Sequence, residues 1–539
     1  MAAALSVDKS LTLARQAAKK QDWITAYKNY KAVLDRFPSN KKAAKAVAEL
    51  SAVAASALLK RAKVEQDNND WKAVNDLLCA AAYFAPGVVE IRTALAESYI
   101  ESGNPSAGLP IIDKLLAAEP NSALFYRLRG QALHELDRPD EAKVALRKAL
   151  EIDPTNARAH RALGIVARSQ GDLDEALNHF EAGLKITPND ASLYRHIVTL
   201  APPESDQDSR IVNLKGALAA LGADNPKAIP LHLALFEALH KCGNRDGAFS
   251  HLSKAKSVAS QHHPYDFQSD AVIAAFSKAQ FSDTEWFQQE VEETRLIFVT
   301  GLPRTGTTLT ERILSCSDDV QACGEQMIVQ RAVIDLLGDV RQRKDPKINR
   351  KDIAALRETL LAGYANISDG RGVQIDKMPL NFRWIGYLVA ALPQARIVHL
   401  NRDPQAVAWS LYRHLFKGRG HDFMHSPKDI ARFMILHRDL MAHWRKVCGA
   451  RVFDLSYSDL VNDQVTATKA LADAVDLEWS EAWLSPEKAT NHVRTSSVLQ
   501  VTKPIFKNSD ESWRAYESQL APLTAALGQA GLISPEKVS

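Results

Sequence analysis

The residues best suited to chemistry lie at 296–309, which read Leu-Ile-Phe-Val-Thr-Gly-Leu-Pro-Arg-Thr-Gly-Thr-Thr-Leu. The apolar run suits a buried parallel strand, Gly301 and Gly306 allow the backbone to turn, and a helix is predicted from Thr307. Backbone N–H groups at the start of a helix face an anion, and the helix dipole favours negative charge there. The stretch therefore predicts a phosphate-binding loop.

The glycine spacing is that of a Walker loop, but the lysine of that loop is missing. Gly301 and Gly306 enclose four residues, Thr307 stands where the lysine would be, and the basic residue is Arg304 inside the turn. A nucleoside triphosphatase needs that lysine for the β and γ phosphates, together with magnesium ligands. The loop argues against a P-loop kinase or nucleotidase, which stays open as an alternative.

A second basic residue follows another predicted strand. Residues 395–404 suit a strand and a helix that begins at a proline, with Arg402 at the strand end and Ser410 eight residues later. A guanidinium offers a planar fork of donors, and the serine adds a hydroxyl from the facing helix turn. The alternative is that Arg402 pairs with Asp403 at a helix cap.

Two further charged residues follow predicted strands. Glu325 ends the run Val-Gln-Ala-Cys-Gly-Glu, and Lys377 follows a strand predicted at 372–376. The simple alternatives are a solvated glutamate that caps a helix at 326–340 and an ordinary surface lysine.

Together these motifs resemble those of sulfotransferases that use 3′-phosphoadenosine 5′-phosphosulfate (PAPS), in particular the protein-tyrosine sulfotransferases. Arg304 before Thr-Gly-Thr-Thr is similar to their 5′-phosphosulfate loop, and Arg402 and Ser410 match the spacing of their 3′-phosphate site. Their Cys-Gly-Glu segment implies that Glu325 is the general base, and its place beyond a strand end supports this role. The resemblance also implies that Arg304 and Lys377 stabilise charge on the transferring sulfuryl group.

The resemblance implies a set of donor-binding residues. Tyr457 takes the place of a tyrosine near the adenine, and Lys503 resembles a Lys-Pro loop that closes over the donor. Among three hydroxyl residues at 495–497 the choice stays open, and Ser497 represents them. The implied donor-binding residues are Gly301, Arg304, Thr305, Gly306, Thr307, Thr308, Leu309, Arg402, Ser410, Tyr457, Ser497 and Lys503.

Three histidines provide an alternative base. His414, His421 and His425 flank a basic, glycine-containing stretch, and small-molecule sulfotransferases use a histidine as base. The simpler interpretation is that they are loop residues near an acceptor channel. No metal is expected, because no carboxylate or cysteine joins them at ligand spacing.

The acceptor stays open, because the sequence departs from the protein-tyrosine sulfotransferases. It has no signal anchor and no pair of stapling cysteines, and a long helical region precedes the motifs. The acceptor hydroxyl could belong to a protein, including a tyrosine, or to a polysaccharide, a lipid or a small metabolite. An adaptor with an inactive cofactor domain is a further alternative.

The elements that must position these residues form an α/β pattern. From residue 291, short apolar runs alternate with helical patterns, which predicts a doubly wound parallel sheet whose ligands lie beyond the carboxyl ends of the strands. We expect a three-layer domain of the P-loop type over 291–539, with a central parallel sheet. The predicted strands are 296–300, 320–323, 372–376, 395–400 and 451–455. The predicted helices are 326–340, 351–364, 379–391, 404–416 and 428–447.

A repeat precedes this domain. Pro86, Pro120, Pro154 and Pro188 are spaced by 34 residues, the period of tetratricopeptide (TPR) repeats. Around 157–190, a glycine at 164 and an alanine and a phenylalanine at 176 and 180 keep the small-into-large pattern of that family. The sequence therefore predicts an α-solenoid over 6–258, a connector over 259–290, and a groove that binds an acceptor protein or another partner.

Composition limits the remaining classes. The chain has 539 residues, 46% of them apolar and 24% charged, with a net charge of +3, which gives no case for nucleic acid binding. Five scattered cysteines indicate reduced thiols. The sequence has no secretory signal pattern and no run of eighteen apolar residues. We therefore expect a cytoplasmic, bacterial protein without a membrane span.

Overall fold

The computed structural model describes residues 7–20, 22–67, 71–287, 295–414, 420–488 and 509–534. Contacts between Cα atoms divide them into two compact units. The first unit extends to His251 and includes Gly420 and His421, and the second unit, from Leu252, contains the other described residues. The domain limits predicted at 258 and 291 stay predictions.

The first unit consists of helices joined by short turns. They are α1 (Val7–Lys19), α2 (Trp23–Arg36), α3 (Lys41–Asp67), α4 (Trp71–Phe84), α5 (Val89–Glu101), α6 (Pro105–Ala118), α7 (Ala123–Glu135), α8 (Pro139–Ile152), α9 (Ala157–Ser169), α10 (Leu173–Ile186), α11 (Ala191–Leu200), α12 (Ser209–Leu221), α13 (Ile229–Lys241) and the start of α14 (Arg245–His262). From α1 to α11, each helix packs against the next, and α7 also contacts α5 and α9. This is the predicted α-solenoid, in which a repeat buries its apolar face against its neighbours.

Small residues allow the helices of one repeat to approach closely. A Cβ atom at Gly164 of α9 would lie 2.6 Å from the ring of Phe180 on α10. Phe180 and Ala176 are fully buried. The turn between the two helices contains Gly171 with a φ of 85°, a left-handed conformation that glycine adopts without steric cost. The predicted small-into-large packing is confirmed.

The second unit contains five parallel strands. They are β1 (Leu296–Gly301), β2 (Val320–Ala322), β3 (Val373–Asp376), β4 (Arg396–Asn401) and β5 (Val452–Ser456). Their order in the sheet is β2-β3-β1-β4-β5, so β1 is central. It pairs with β3 on one side, where Phe298 lies beside Asp376, and with β4 on the other. Each strand end lies within one residue of its predicted position.

Helices surround these strands in the chain order typical of α/β folds. They are α15 (Phe267–Gln280), α16 (Thr307–Leu314), α17 (Ile328–Arg341), α18 (Arg350–Ala365), α19 (Ile385–Ala391), α20 (Pro404–Arg413), α21 (Pro427–Cys448), α22 (Tyr457–Asn462), α23 (Gln464–Ala474) and α24 (Ala521–Gln529). All eight side chains of α16 are buried, and its apolar residues join those of the strands and of α23 in one core. This helix directly follows the loop that ends β1 and fixes its position.

Two predicted helices are shorter than expected. The helix predicted at 379–391 begins as a 3₁₀ turn, Pro379–Trp384, and becomes α-helical only from Ile385. Such tight turns are common at helix starts. Proline is tolerated in the first turn, because an N–H at that position would have no acceptor within the helix. The helix predicted at 404–416 ends at Arg413, because the backbone of His414 is extended, with φ −101° and ψ 151°.

The described part of the predicted connector packs within the second unit. Helix α15 contacts α21, and the fully buried Phe281 meets the ring of Tyr387 edge-on at a centroid distance of 4.8 Å. None of the helices in the described ranges has an apolar stretch long enough to cross a membrane.

We expect Gly164→Ala to destabilise the solenoid by about 1–3 kcal/mol, because the new methyl group overlaps the Phe180 ring. Gly216→Ala is the matched control in α12, where no atom lies within 4 Å of the added Cβ; a helix-interior alanine there should stabilise by about 0.5–1 kcal/mol. Urea unfolding followed by circular dichroism measures both changes. Equal stability of the two variants would contradict the close packing of α9 and α10.

Candidate active site

The loop after β1 has the backbone of an anion site. Gly301, Arg304 and Gly306 have φ values of 151°, 75° and 107°, so the turn uses conformations that favour glycine. A Cβ atom at Gly306 would lie 2.5 Å from the Tyr457 ring. The hydroxyl of Thr305 donates to the carbonyl of Leu302 at 2.7 Å and closes the turn. The predicted loop therefore depends on glycine at position 306.

The helix that follows completes the loop. Gly306 is the N-cap of α16, and its first three residues, Thr307, Thr308 and Leu309, are 4%, 7% and 8% exposed. The N–H groups of a first helical turn have no partner within the helix. They are the groups that would face an anion in the turn.

The structure brings the two predicted anion sites together. Arg304 Nε donates to Ser410 Oγ at 3.1 Å, although the two residues lie 106 positions apart. Arg402 Nη1 donates to the carbonyl of Arg304 at 2.9 Å. Asp403 caps α20 by accepting the N–H of Ala406 at 2.9 Å. Arg402 thus contacts the loop, and the neighbouring aspartate fulfils the capping role.

Like charges converge at this position. The pKa of Arg304 is lowered to about 10 by burial and then by the charges of Arg413 and Arg402. Arg304 is still protonated at neutral pH, so the unfavourable energy of placing three guanidinium groups near one another persists in the folded protein. An anion bound among them would relieve it.

Tyr457 links the two parts of this basic site. It begins α22 directly after β5, and the guanidinium carbon of Arg402 lies 4.2 Å from the centre of its ring. Its ring also borders Gly306. The arrangement is a cation–π contact that orients Arg402 beside the loop.

Glu325 and Lys377 form an ion pair at the ends of β2 and β3. Lys377 Nζ lies 2.5 Å from Glu325 Oε1; the lysine side chain is 0% exposed and the glutamate side chain 45% exposed. The N–H of Lys377 donates to the carbonyl of Gly324 at 3.0 Å, which joins the two segments through the backbone as well. Lys377 is therefore not a surface lysine, and Glu325, although partly exposed, does not cap the following helix, whose N-cap is Met327.

Two buried acids beside this pair had no predicted role. Glu311 of α16 accepts the N–H of Gly324 on its Oε1 atom at 2.9 Å, and Asp376 accepts the hydroxyl of Tyr364. Burial raises the pKa of each carboxyl group to about 7; the charge of Glu325 also raises the pKa of Glu311, and the charge of Glu311 raises that of Asp376. A sequence signal existed only for Asp376, which directly precedes Lys377.

The histidines occupy less suitable positions for a base. His414 Nδ1 lies 2.7 Å from the carbonyl of Ser410, and burial together with Arg304 and Arg413 lowers its pKa to about 3. His425 ends a 3₁₀ turn in the second unit, whereas His421 is grouped with the first unit. So low a pKa makes His414 a weak base at neutral pH.

Two of the predicted donor-binding residues, Ser497 and Lys503, lie outside the described residues. Among the residues that the structure does describe, no three His, Cys, Asp or Glu side chains are grouped so that they could hold a metal ion.

Comparisons with known families agree with the two kinds of architecture. A family described as "Sulfotransferase family" matches residues 296–481, which include β1 to β5 and the phosphate loop. Two families described as "Tetratricopeptide repeat" match residues 93–157 and 133–201 in the solenoid.

Individual relatives are distant. The chain is 30% identical over 315 residues to an uncharacterised protein of Aquifex aeolicus, a match that covers 54% of this chain and 40% of that protein. It is 21% identical over 266 residues to a protein-tyrosine sulfotransferase of Drosophila melanogaster, which covers 45% of this chain and 53% of the relative. The matches thus span about half the length of these relatives or less.

Among solved structures, the chain is similar to pilF of Pseudomonas aeruginosa at 20% identity and a TM-score of 0.28, over 42% of this chain and 99% of that one. The solenoid assignment relies on the repeats themselves rather than on this likeness. The chain therefore carries tetratricopeptide repeats in its first half and a sulfotransferase-family domain in its second half.

Proposed function

We propose that the second unit transfers a sulfuryl group from PAPS to a hydroxyl acceptor. The observation that carries the proposal is the contact of Arg304 with Ser410 and Arg402, which form one basic site from segments 98 to 106 positions apart. Such a site suits a ligand with two separate anionic groups. The family match of residues 296–481 supports the reaction class.

The residues around the loop fit PAPS, which would supply the sulfuryl group. The N–H groups at the start of α16 and the Arg304 side chain would hold its 5′ end. Arg402 and Ser410 would hold its 3′-phosphate, and Tyr457 would lie near its adenine. The pKa of Arg304 supports this fit, because burial and then the charges of Arg413 and Arg402 lower it, and bound anionic groups would offset that positive charge.

We assign Glu325 as the general base. Its side chain is 45% exposed, so an acceptor hydroxyl can reach it. As the acceptor oxygen bonds to sulfur, its O–H bond breaks and the proton passes to Glu325, while the sulfur–oxygen bond to the donor phosphate breaks and leaves its electron pair on that phosphate. Arg304 and Lys377 offset the charge that develops during transfer.

The acceptor and the role of the solenoid are a separate part of the proposal. The similarity to a protein named as a protein-tyrosine sulfotransferase favours a protein tyrosine, among the other hydroxyls. The first unit has a pocket of about 240 Å³ whose lining includes Gln131, His134 and Arg161, which suits a polar peptide group. We propose that the solenoid recruits the acceptor or a partner protein. Bacterial origin and a cytoplasmic location stay predictions from the sequence.

We expect transfer of labelled sulfate from PAPS to fractions of a host lysate, and we expect it to continue in EDTA, because side chains rather than a metal offset the charge in this proposal. Activity that requires ATP and magnesium would instead indicate a P-loop kinase or nucleotidase. A protein that does not bind 3′-phosphoadenosine 5′-phosphate in calorimetry would be an adaptor with an inactive domain.

We expect Arg402→Ala to weaken binding of 3′-phosphoadenosine 5′-phosphate by about 10- to 100-fold, since a hydrogen bond from a charged donor is lost. Arg396→Ala is the matched control, because Arg396 lies at the opposite end of β4 and pairs with the exposed Asp476. Isothermal calorimetry measures both affinities. Similar affinities for the two variants would contradict a 3′-phosphate site at Arg402.

We expect Glu325→Gln to lower kcat by about a hundredfold or more with little change in donor affinity, because the amide cannot accept the proton. Glu358→Gln on the exposed side of α18 is the control and should retain kcat. The measurement is release of 3′-phosphoadenosine 5′-phosphate in the presence of the active lysate fraction. If Glu325→Gln keeps full kcat, the base must be sought among His414, His421 and His425.

A further inference from the structure

Lys377 faces a charge problem if Glu325 is the base, an assignment that belongs to the proposed function. The lysine is 0% exposed, and its ion pair is with Glu325 at 2.5 Å. When Glu325 takes up the acceptor's proton, it loses the negative charge that this ion pair provides. A buried ammonium group without a counter-ion tends to lose its own proton, and it would then no longer stabilise the transferring group.

The same unit shows what burial does to a lysine that has no such carboxylate contact. Lys256 of α14 is 1% exposed, and its Nζ donates to the carbonyl of His414 at 2.5 Å. Burial lowers its pKa to about 7. The carbonyl oxygen of His414 and the Tyr412 ring, whose centre lies 5.7 Å from Nζ, therefore do not compensate for the loss of water around this ammonium group.

Glu311 and Asp376 are two further carboxyl groups near Lys377, because Asp376 directly precedes it and the backbone of Gly324 bonds to both Glu311 and the Lys377 N–H. Glu311 is fully buried and Asp376 is 1% exposed. Each uses one oxygen: Glu311 Oε1 accepts the Gly324 N–H, and Asp376 accepts the Tyr364 hydroxyl. Glu311 Oε2 and Asp376 Oδ1 have no hydrogen-bond partner among the described residues. Each carboxyl group thus keeps an oxygen that is free to interact with a neighbouring cation.

The charge of Lys377 affects the pKa of both acids. It lowers the pKa of Glu311 and that of Asp376, while burial raises both to about 7. The other titratable groups that face the cluster are Glu325, the Tyr364 hydroxyl and the Cys323 thiol, whose pKa burial raises to about 12. Lys377 is thus a basic group whose charge acts on both buried acids.

We propose that Glu311 and Asp376 together are the second counter-ion of Lys377 and keep it protonated after Glu325 has taken up a proton. Glu311 has an additional positioning role, because its bond to Gly324 N–H holds the turn that carries Glu325. The charge of Glu311 raises the pKa of Asp376, so the ionisation of one acid opposes that of the other. Their negative charge grows as pH rises through about 7, the pKa of each acid.

The test measures the pKa of Lys377 directly in the full chain. Glu325→Gln imitates the neutral, proton-loaded base, and ¹³C–¹H spectra of protein labelled at lysine Cε follow the titration; Lys377→Met assigns the signal. We expect Lys377 to stay protonated near neutral pH in Glu325→Gln. Adding Glu311→Gln should lower the Lys377 pKa by about one to two units. The Lys256 signal is the internal control and should not shift.

Other outcomes decide against the proposal. It is wrong if the Lys377 titration is the same with and without Glu311→Gln in the Glu325→Gln background. If that double variant does not fold, Asp376→Asn in the same background tests the same pair. Glu311→Asp keeps a carboxyl group, so it should lower the Lys377 pKa less than the loss of that group does. An unchanged Lys377 titration in the folded Asp376→Asn variant would equally overturn it.

Activity provides a second readout. We expect Glu311→Gln alone to reduce kcat more at pH 9 than at pH 7, because Lys377 then loses its proton at lower pH; a purely structural role would reduce kcat by the same factor at both. The titration needs no PAPS, so it separates the two hypotheses. If wild type releases no product from PAPS but the titration shifts as expected, the proposed function fails and the counter-ion role stands.

Discussion

The parallel pairing of β1 with β3 and β4 is the constraint on which the candidate site depends. Because all strands run in one direction, their carboxyl ends lie at one edge of the sheet. The chain leaves the central strand β1 towards β2 and β3 on one side and then crosses to β4 and β5 on the other. Ligands of open α/β sheets bind at such a change of direction. The loop after β1, Lys377 and Arg402 all follow strands that meet there.

This topology concentrates charge of both signs in a small region. Arginines gather beside the loop, and carboxyl groups gather behind Lys377, although the whole chain is almost neutral at +3. Helix α16 lies between the arginines and the carboxyl groups. It directly follows the loop that contains Arg304, and Glu311 on its second turn contacts Gly324. Net charge therefore says little about this protein's ligands. Local charge is positive at the arginines beside the loop and negative at the carboxyl groups near the Lys377 ammonium group.

Much of the architecture could be predicted from the sequence. Apolar runs and glycines located every strand to within one residue, because a buried parallel strand needs such a run and the turn after β1 needs glycine. The 34-residue period likewise predicted the solenoid. Helix ends were less accurate: the extended backbone of His414 stops α20 after Arg413, and local sequence contains no signal for that change.

The contacts within the site were harder to predict. Motif spacing suggested that Arg304 and Arg402 serve one ligand, but the bond between Arg304 and Ser410 depends on strand order, which sequence alone did not provide. Glu311 was missed for a physical reason. Helical periodicity separates a buried face from an exposed one, and α16 has no exposed face. A buried glutamate in such a helix has the same pattern as a surface one.

The complete burial of α16 also bears on how the loop in front of it would bind. A helix held by the core on every side cannot shift or fray easily, and the Tyr457 ring against Gly306 restrains the loop from its other side. The conformational entropy of the loop is then lost when the protein folds rather than when an anion arrives. Binding to a preformed loop keeps more of its interaction energy as affinity. Rigidity at this position, as much as charge, would determine how tightly a small anionic donor is held.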